Sequence, residues 1–195
     1  IIMTQNNIRT VLGNNPIVPV VKINHLKEVI PLLDYLKENN FNSIEITLRT
    51  ACAMDAIKLA KEHCDSSFLV GAGSVIKTEQ VTKLLEAGVD FIVLPGIQTD
   101  LIDVLNELKI PFLPGVMTPS EIMEALNLGW DTLKFFPAHI AGGIEALKTY
   151  AQVFPQVKFC PTGGISVENH HEFLALDNVL SVGGSWVQKK FNNKL

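Results

Sequence analysis

Eight apolar runs of strand length set the frame for this sequence. They begin near Ile17, Ser43, Phe68, Phe91, Phe112, Thr132, Val157 and Val179, one every 20 to 26 residues. Between them lie amphipathic stretches with helix-end chemistry. Thr118-Pro119-Ser120-Glu121 reads as a capping box with proline at the first helical position, and Gly129 follows the helix it opens. Thr78-Glu79 opens another that stops at Gly88, and Ser166 with Glu168 opens the one carrying His170 and His171. Eight alternations predict an α/β fold, a (β/α)8 TIM barrel, as a single domain over residues 1–195 with a helical segment over 1–16 before the first strand. The alternative is an open doubly wound sheet. It uses fewer strands and carries a glycine-rich fingerprint after the first one, where this chain has Pro19-Val20-Val21. After the last run only Val187 to Leu195 remain, too short for a full final helix. The C-terminal helix is therefore expected to be curtailed, with one side of the barrel covered by a partner subunit or partly open.

Composition excludes several classes. An apolar fraction of 47% against 18% charged residues argues for a compact fold and against disorder. The net charge of −4 and pI near 5.7 argue against nucleic acid as a partner, so an anionic substrate would need a local cluster of donors. No apolar run reaches membrane-spanning length, and the polar stretch Thr4-Gln5-Asn6-Asn7 is unlike a signal peptide, so the expectation is a cytoplasmic protein with no membrane partner. Three cysteines, Cys52, Cys64 and Cys160, are odd in number and lack paired metal spacing, so neither a disulfide framework nor a metal site is expected.

Barrel geometry sorts the remaining residues, because functional groups sit at the carboxyl ends of the strands. In the second run Ile44, Ile46 and Leu48 share one face, suited to packing against helices. Ser43, Glu45, Thr47 and Arg49 share the other, which points into the barrel. A carboxylate and a guanidinium are anomalous in an interior normally filled by branched apolar side chains. A structural Glu45–Arg49 ion pair would explain them, but their α-carbons lie about 13 Å apart along the strand, so the arginine would have to fold back. Lys134 poses the same question. It shares a face with Thr132 and Phe136, inside an apolar run closed by Pro137. An edge-strand lysine would simply reach solvent. An inward one would be an expensive buried ammonium that desolvation makes available for a Schiff base. Two glycine pairs complete the pattern. Pro161-Thr162-Gly163-Gly164 ends the seventh run and Gly183-Gly184-Ser185 the eighth. In (β/α)8 barrels these two loops are the frequent phosphate site, where glycine lets backbone amides approach an anion and a following helix start adds its dipole. Gly71-Ala72-Gly73-Ser74 after the third run offers a hydroxyl and an amide to a carboxylate. Pro95-Gly96 and Pro114-Gly115 read as turns lining the mouth.

Taken together, Val18-Pro19-Val20, Glu45-Ile46-Thr47-Leu48-Arg49-Thr50, Gly71-Ala72-Gly73, Lys134-Phe135-Phe136-Pro137-Ala138, Phe159 to Ile165 and Gly183-Gly184-Ser185-Trp186 cover nearly the whole chain. In this combination the sequence resembles the 2-keto-3-deoxy-6-phosphogluconate (KDPG) aldolase family, also called 4-hydroxy-2-oxoglutarate (KHG) aldolases. The resemblance implies a class I aldolase, a homotrimer acting on a small keto acid, with no cofactor and no metal. It implies Lys134 as the Schiff-base lysine and Glu45 as the general acid/base. Arg49 and Ser74 would hold the substrate carboxylate, and Pro95 and Phe136 would shape the pyruvyl pocket. Thr162, Gly163, Gly164, Gly184 and Ser185 would line the distal end of the substrate with its phosphate. Three departures stand out: Ser74 where threonine is common, His139 where glutamate is frequent, and the curtailed terminal helix. Two other functions would use the same glycine loops, a phosphosugar isomerase or epimerase and a non-catalytic sugar-phosphate-binding barrel. The former would employ paired carboxylates or a metal, and only Glu45 is well placed. The latter would need no inward Lys134 and Glu45 together. His170 and His171 read as surface groups, Cys160 as a small core or barrel-lining residue, and Trp130 and Trp186 as packing between layers.

Overall fold

The computed structural model describes residues 5 and 7–193. The rest of the expected N-terminal segment (1–4 and 6, with Thr4 and Asn6 of the polar stretch) and Lys194 and Leu195 lie outside the described residues. Helix α1 (Ile8–Gly13) precedes strand β1 (Ile17–Val21). The alternation continues through α2 (Val29–Glu38), β2 (Ser43–Thr47), α3 (Ala53–His63), β3 (Leu69–Gly73), α4 (Thr78–Glu86), β4 (Phe91–Val93) and α5 (Thr99–Glu107). Then follow β5 (Phe112–Leu113), β6 (Gly115–Val116), α6 (Pro119–Asn127), β7 (Thr132–Phe135), α7 (Gly143–Val153), β8 (Lys158–Pro161), α8 (His170–Leu174), β9 (Val182–Gly184) and α9 (Trp186–Asn192).

All pairings are parallel, and the result is a curled α/β sheet in two segments, β5-β4-β3-β2-β1-β9 and β6-β7-β8. This differs from eight continuous strands. The fifth run is divided at Pro114, with β5 pairing back to β4 and β6 forward to β7. Pro114 has no N–H to donate, but its carbonyl accepts from Lys134 N at 2.8 Å, so the chain crosses between segments at that point. At the other seam the segments meet through single bridges, Phe159 with Val179 and Thr162 with Gly183. The eighth strand accordingly begins at Val182, not near Val179.

Helix ends follow the expected chemistry in most places. The Thr118 hydroxyl accepts from Glu121 N, and the Glu121 carboxylate accepts from Met117 N and Thr118 N, both at 2.7 Å. Gly88 and Gly129 adopt positive φ just past α4 and α6. The helix expected from Ser166 starts later, at His170. Before it, Ser166 N donates to Asn169 Oδ1 and Asn169 Nδ2 to Gly164 O, a side-chain-held turn that displaces the helix start.

Helices cover the outside of the sheet through Ile44, Ile46, Val70, Ile92, Leu133 and Phe135, all essentially inaccessible. Trp130 packs between layers, edge-on to Phe112. The enclosed side holds a second apolar cluster in which Ile8 and Leu12 of α1 meet Val18, Phe91, Val93, Leu113 and Cys160. Gln5 fixes this floor by donating to the carbonyls of Phe112 and Thr132 and accepting from Asp131 N and Thr132 N. The seven-residue α9 is short but anchored: Gln188 exchanges two hydrogen bonds with the Lys22 backbone, and buried Phe191 packs on Tyr35. Among the described residues no helix is long and apolar enough to cross a membrane.

Candidate active site

Strand β7 lies between β6 and β8, with Lys134 in register with Gly115 and Cys160. Lys134 is therefore not on an edge, and its side chain has no route along one to solvent. It is 4% exposed, as is Glu45, which β2 holds between β1 and β3. The two meet in the enclosed cavity, Lys134 Nζ lying 3.8 Å from Glu45 Oε1. That is too long for a hydrogen bond, and among the described residues Glu45 Oε1 has no hydrogen-bond partner. A buried carboxylate beside a buried amine is placed to exchange protons with whatever reacts at that amine. Phe136 lies below the amine, its ring centroid 4.8 Å from Nζ. Cys160 also lines the cavity; burial, chiefly, pushes its thiol up to about 12, while the Lys134 charge opposes that rise and Glu45 adds to it.

Gly73 makes this arrangement possible. A Cβ at that position would collide with the Glu45 carboxylate, so only glycine leaves room for it. Sequence reasoning noticed the Gly71–Ser74 turn for its donors and missed this spatial role. It also missed that Ile8 and Leu12 of α1 form the apolar floor of the cavity, although their i, i+4 spacing was there to be seen.

Arg49 requires a correction. Extending the alternation of β2 to residue 49 placed it inside with Glu45, but the strand ends at Thr47 and Arg49 is exposed at the mouth. Among the described residues no ion pair joins it to Glu45. Instead its Nε donates to Ser74 Oγ at 2.8 Å, and Ser74 takes a left-handed conformation, φ 56°. The expected carboxylate-holding pair is thus in direct contact. Pro95 is half-buried on the β4 exit, and its carbonyl sits over Gly115, where any side chain would strike it.

The distal residues gather at the exits of β8 and β9. The Thr162 side chain occupies the space above Gly183, its N–H donates to Phe135 O, and its carbonyl accepts from Ala138 N. Gly163 and Gly164 have φ of 101° and 72°, which favours glycine. The Gly163 amide faces Gly183 across the bridge that joins Thr162 to β9, while among the described residues the amides of Gly164 and Ile165 have no backbone acceptor. Gly184 is buried beneath the Trp186 ring and Ser185 is exposed beside it. Trp186 is half-buried rather than sealed between layers, with the His170 ring tilted against it at 5.4 Å. Among the described residues no group of three or more His, Cys, Asp or Glu stands where it could hold a metal ion.

Fold and cavity define an enclosed parallel α/β site whose reactive groups are one amine and one carboxylate. The family model for KDPG and KHG aldolases matches residues 8–194, and the chain belongs to that family. It is 42% identical to the KHG/KDPG aldolase of Escherichia coli K12 over 179 residues, 91% of this chain and 83% of that protein. Among solved structures, the KDPG aldolase of Legionella pneumophila with pyruvate captured as a covalent carbinolamine aligns with a TM-score of 0.91. The two are 41% identical, and the match covers 95% of this chain and 91% of that one. The KDPG aldolase of Zymomonas mobilis ZM4 with 3-phosphoglycerate aligns with a TM-score of 0.90 at 38% identity, covering 97% and 94%.

Proposed function

We propose that this chain is a class I aldolase that reversibly cleaves 2-keto-3-deoxy-6-phosphogluconate to pyruvate and glyceraldehyde 3-phosphate, and 4-hydroxy-2-oxoglutarate to pyruvate and glyoxylate. The observation that carries this reading is the buried Lys134 amine 3.8 Å from an unpartnered Glu45 oxygen. Neutral Lys134 attacks the C2 ketone to give a carbinolamine. Loss of water, with Glu45 as proton donor to the departing hydroxyl, leaves a protonated imine. That cation accepts the electron pair released when the C3–C4 bond breaks, while Glu45, directly or through water, takes the proton of the C4 hydroxyl. The aldehyde leaves, the enamine is protonated at C3, and hydrolysis of the imine releases pyruvate and free Lys134. No cofactor is needed, because the lysine itself supplies the electron sink.

Arg49 and Ser74 hold the substrate carboxylate in this reading, Pro95 and Phe136 bound the pyruvyl half, and Thr162, Gly163, Gly164, Gly184 and Ser185 receive the distal phosphate. The Legionella relative holds pyruvate as a covalent carbinolamine and the Zymomonas relative holds 3-phosphoglycerate, ligands of the kind this reading assigns to the two ends of the site. In this reading the chain forms one (β/α)8 barrel domain, closed across the two seams. A cytoplasmic homotrimer, with neither nucleic acid nor membrane as partner, completes the proposal. Exposed Ile76, Met117 and Ile140, on loops that follow β3, β6 and β7, are candidates for the subunit contact.

Borohydride trapping with pyruvate tests the reaction directly. A pyruvyl-derived adduct on Lys134, located by peptide mass spectrometry and absent from Lys134→Ala and Lys134→Arg, is the expected result. A folded protein that gives no adduct would overturn the assignment and favour a phosphosugar isomerase or a binding barrel.

A further inference from the structure

The exits of β7 and β8 are stitched together by two backbone hydrogen bonds, Ala138 N to Thr162 O at 2.9 Å and His139 N to Gly163 O at 3.2 Å. This brings the His139 side chain onto the glycine loop. A Cβ at Gly163 would lie 3.2 Å from His139 Nδ1, and one at Gly164 would lie 3.1 Å from the same atom and 2.7 Å from Cγ. The imidazole is exposed, and among the described residues neither ring nitrogen has a hydrogen-bond partner. Beside it, among the described residues, the amides of Gly164 and Ile165 are equally without a backbone acceptor. Two free amides on consecutive residues, in a turn made by two left-handed glycines, form a concavity that takes an anion.

We propose that His139 is a specificity-determining residue of this subsite, donating a ring N–H to the distal phosphate alongside the loop amides; the inference rests on the aldolase reading given above. The placement fits a single extended substrate. Lys134 is in register with Cys160, so Thr162 and Gly163 lie two and three residues nearer the strand exits, about 7–10 Å further along. That span suits a six-carbon keto acid whose C2 reaches the lysine while its terminal phosphate reaches the loop. A neutral imidazole offers one donor and an imidazolium two. A glutamate at this position would accept from the loop amides and compete with the ligand for them. Histidine donates with them, so this chain should favour a phosphorylated substrate over its dephosphorylated form more strongly on account of this residue.

The test compares kcat and KM for 2-keto-3-deoxy-6-phosphogluconate and for 2-keto-3-deoxygluconate in the wild type, His139→Phe and His139→Gln. Phenylalanine keeps a ring against the loop and removes both donors; glutamine keeps a donor. Loss of a hydrogen bond to a charged group predicts that His139→Phe lowers the ratio of the two kcat/KM values about tenfold, through KM for the phosphorylated substrate, whereas His139→Gln stays within about threefold. A ratio unchanged in His139→Phe, in a protein that still cleaves the phosphorylated substrate and traps pyruvate, overturns the role of His139 and leaves the aldolase reading standing. A wild type that cleaves neither substrate overturns that reading and this inference with it.

Discussion

Substituting Gly73 by alanine isolates what the position of the Glu45 carboxylate is worth. The new Cβ would lie 2.7 Å from Glu45 Cδ and 2.9 Å from Cγ, where ordinary contact begins at 3.4 Å. The carboxylate carbon must therefore retreat by about 0.7 Å, and Oε1, which meets the Cβ head-on, by more. Gly73 does not adopt the left-handed backbone, so the effect is steric, without a torsional part. Overpacking of this kind costs about 1–3 kcal/mol, which in a chain of this size lowers Tm by about 2–12 °C. The catalytic effect should be larger. A misplacement near 1 Å removes about 10²-fold in rate, within the 10²- to 10⁴-fold expected for Glu45→Gln, which deletes the acid/base group without changing its volume. The assay is steady-state cleavage of 2-keto-3-deoxy-6-phosphogluconate by coupled pyruvate detection, with thermal melting alongside. A double-mutant cycle supplies the control: in a Glu45→Ala background the collision is gone, so Gly73→Ala should cost little further rate or stability. If Gly73→Ala folds and turns over at the wild-type rate, the catalytic importance assigned to the placement of Glu45 is wrong. If it costs as much rate in the Glu45→Ala background as in the wild type, its effect does not run through Glu45.

The same structure sets three further expectations. Gln5→Ala removes two donated and two accepted hydrogen bonds under the cavity floor and strands the Thr132 backbone, so it should cost about 3 kcal/mol in urea unfolding, roughly three times a typical surface polar deletion. Partial burial pushes the Glu121 carboxyl up, but hydrogen bonds from the Thr118 and Met117 amides outweigh it and hold it below the usual carboxylate range. Stability from a depressed carboxylate is present above its unfolded pKa and is lost as pH falls through the folded value. Glu121→Gln should thus be less stable at pH 7 by about 1 kcal/mol, with the gap to wild type closing as pH falls from the unfolded carboxylate's pKa through the lower folded one. Cys160, buried with its thiol pushed up to about 12, should resist iodoacetamide at pH 8 while the half-buried Cys52 reacts; mass spectrometry of the native protein distinguishes them, and early labelling of Cys160 would contradict its enclosure.

What the sequence could announce divides along the range of the interactions involved. Strand and helix positions depend on local periodicity and caps. The starts of β1, β2, β4, β5 and β7 fall on the expected residues, and the Thr118 capping box is formed as read. The inward face of β2 was legible for the same reason: alternation within a strand is a property of consecutive residues, and it placed Glu45 correctly. The same rule failed for Arg49, because alternation stops where the ladder does, and the end of β2 at Thr47 is set by how far β1 and β3 extend beside it. Proline at 114 was visible as a turn. That it divides one run between two partner strands depends on β4 and β7, which are distant in the chain.

The site itself shows the same division more sharply. Residue types that are costly to bury, Lys134 and Glu45, stand out in an apolar run because no local context compensates them, and the compensation must be functional or must come from elsewhere in the fold. Residues that matter by what they leave out carry no such mark. Gly73 is one glycine among 13, and its role exists only because the Glu45 side chain crosses from the neighbouring strand into the space a Cβ would fill. His139 stands out in sequence only as a departure, a histidine where glutamate is frequent. It becomes a candidate ligand only when the β7 and β8 exits are hydrogen-bonded side by side. Local chemistry therefore locates the reacting groups, while the residues that position and discriminate are fixed by contacts between strands and become visible once those strands are in register.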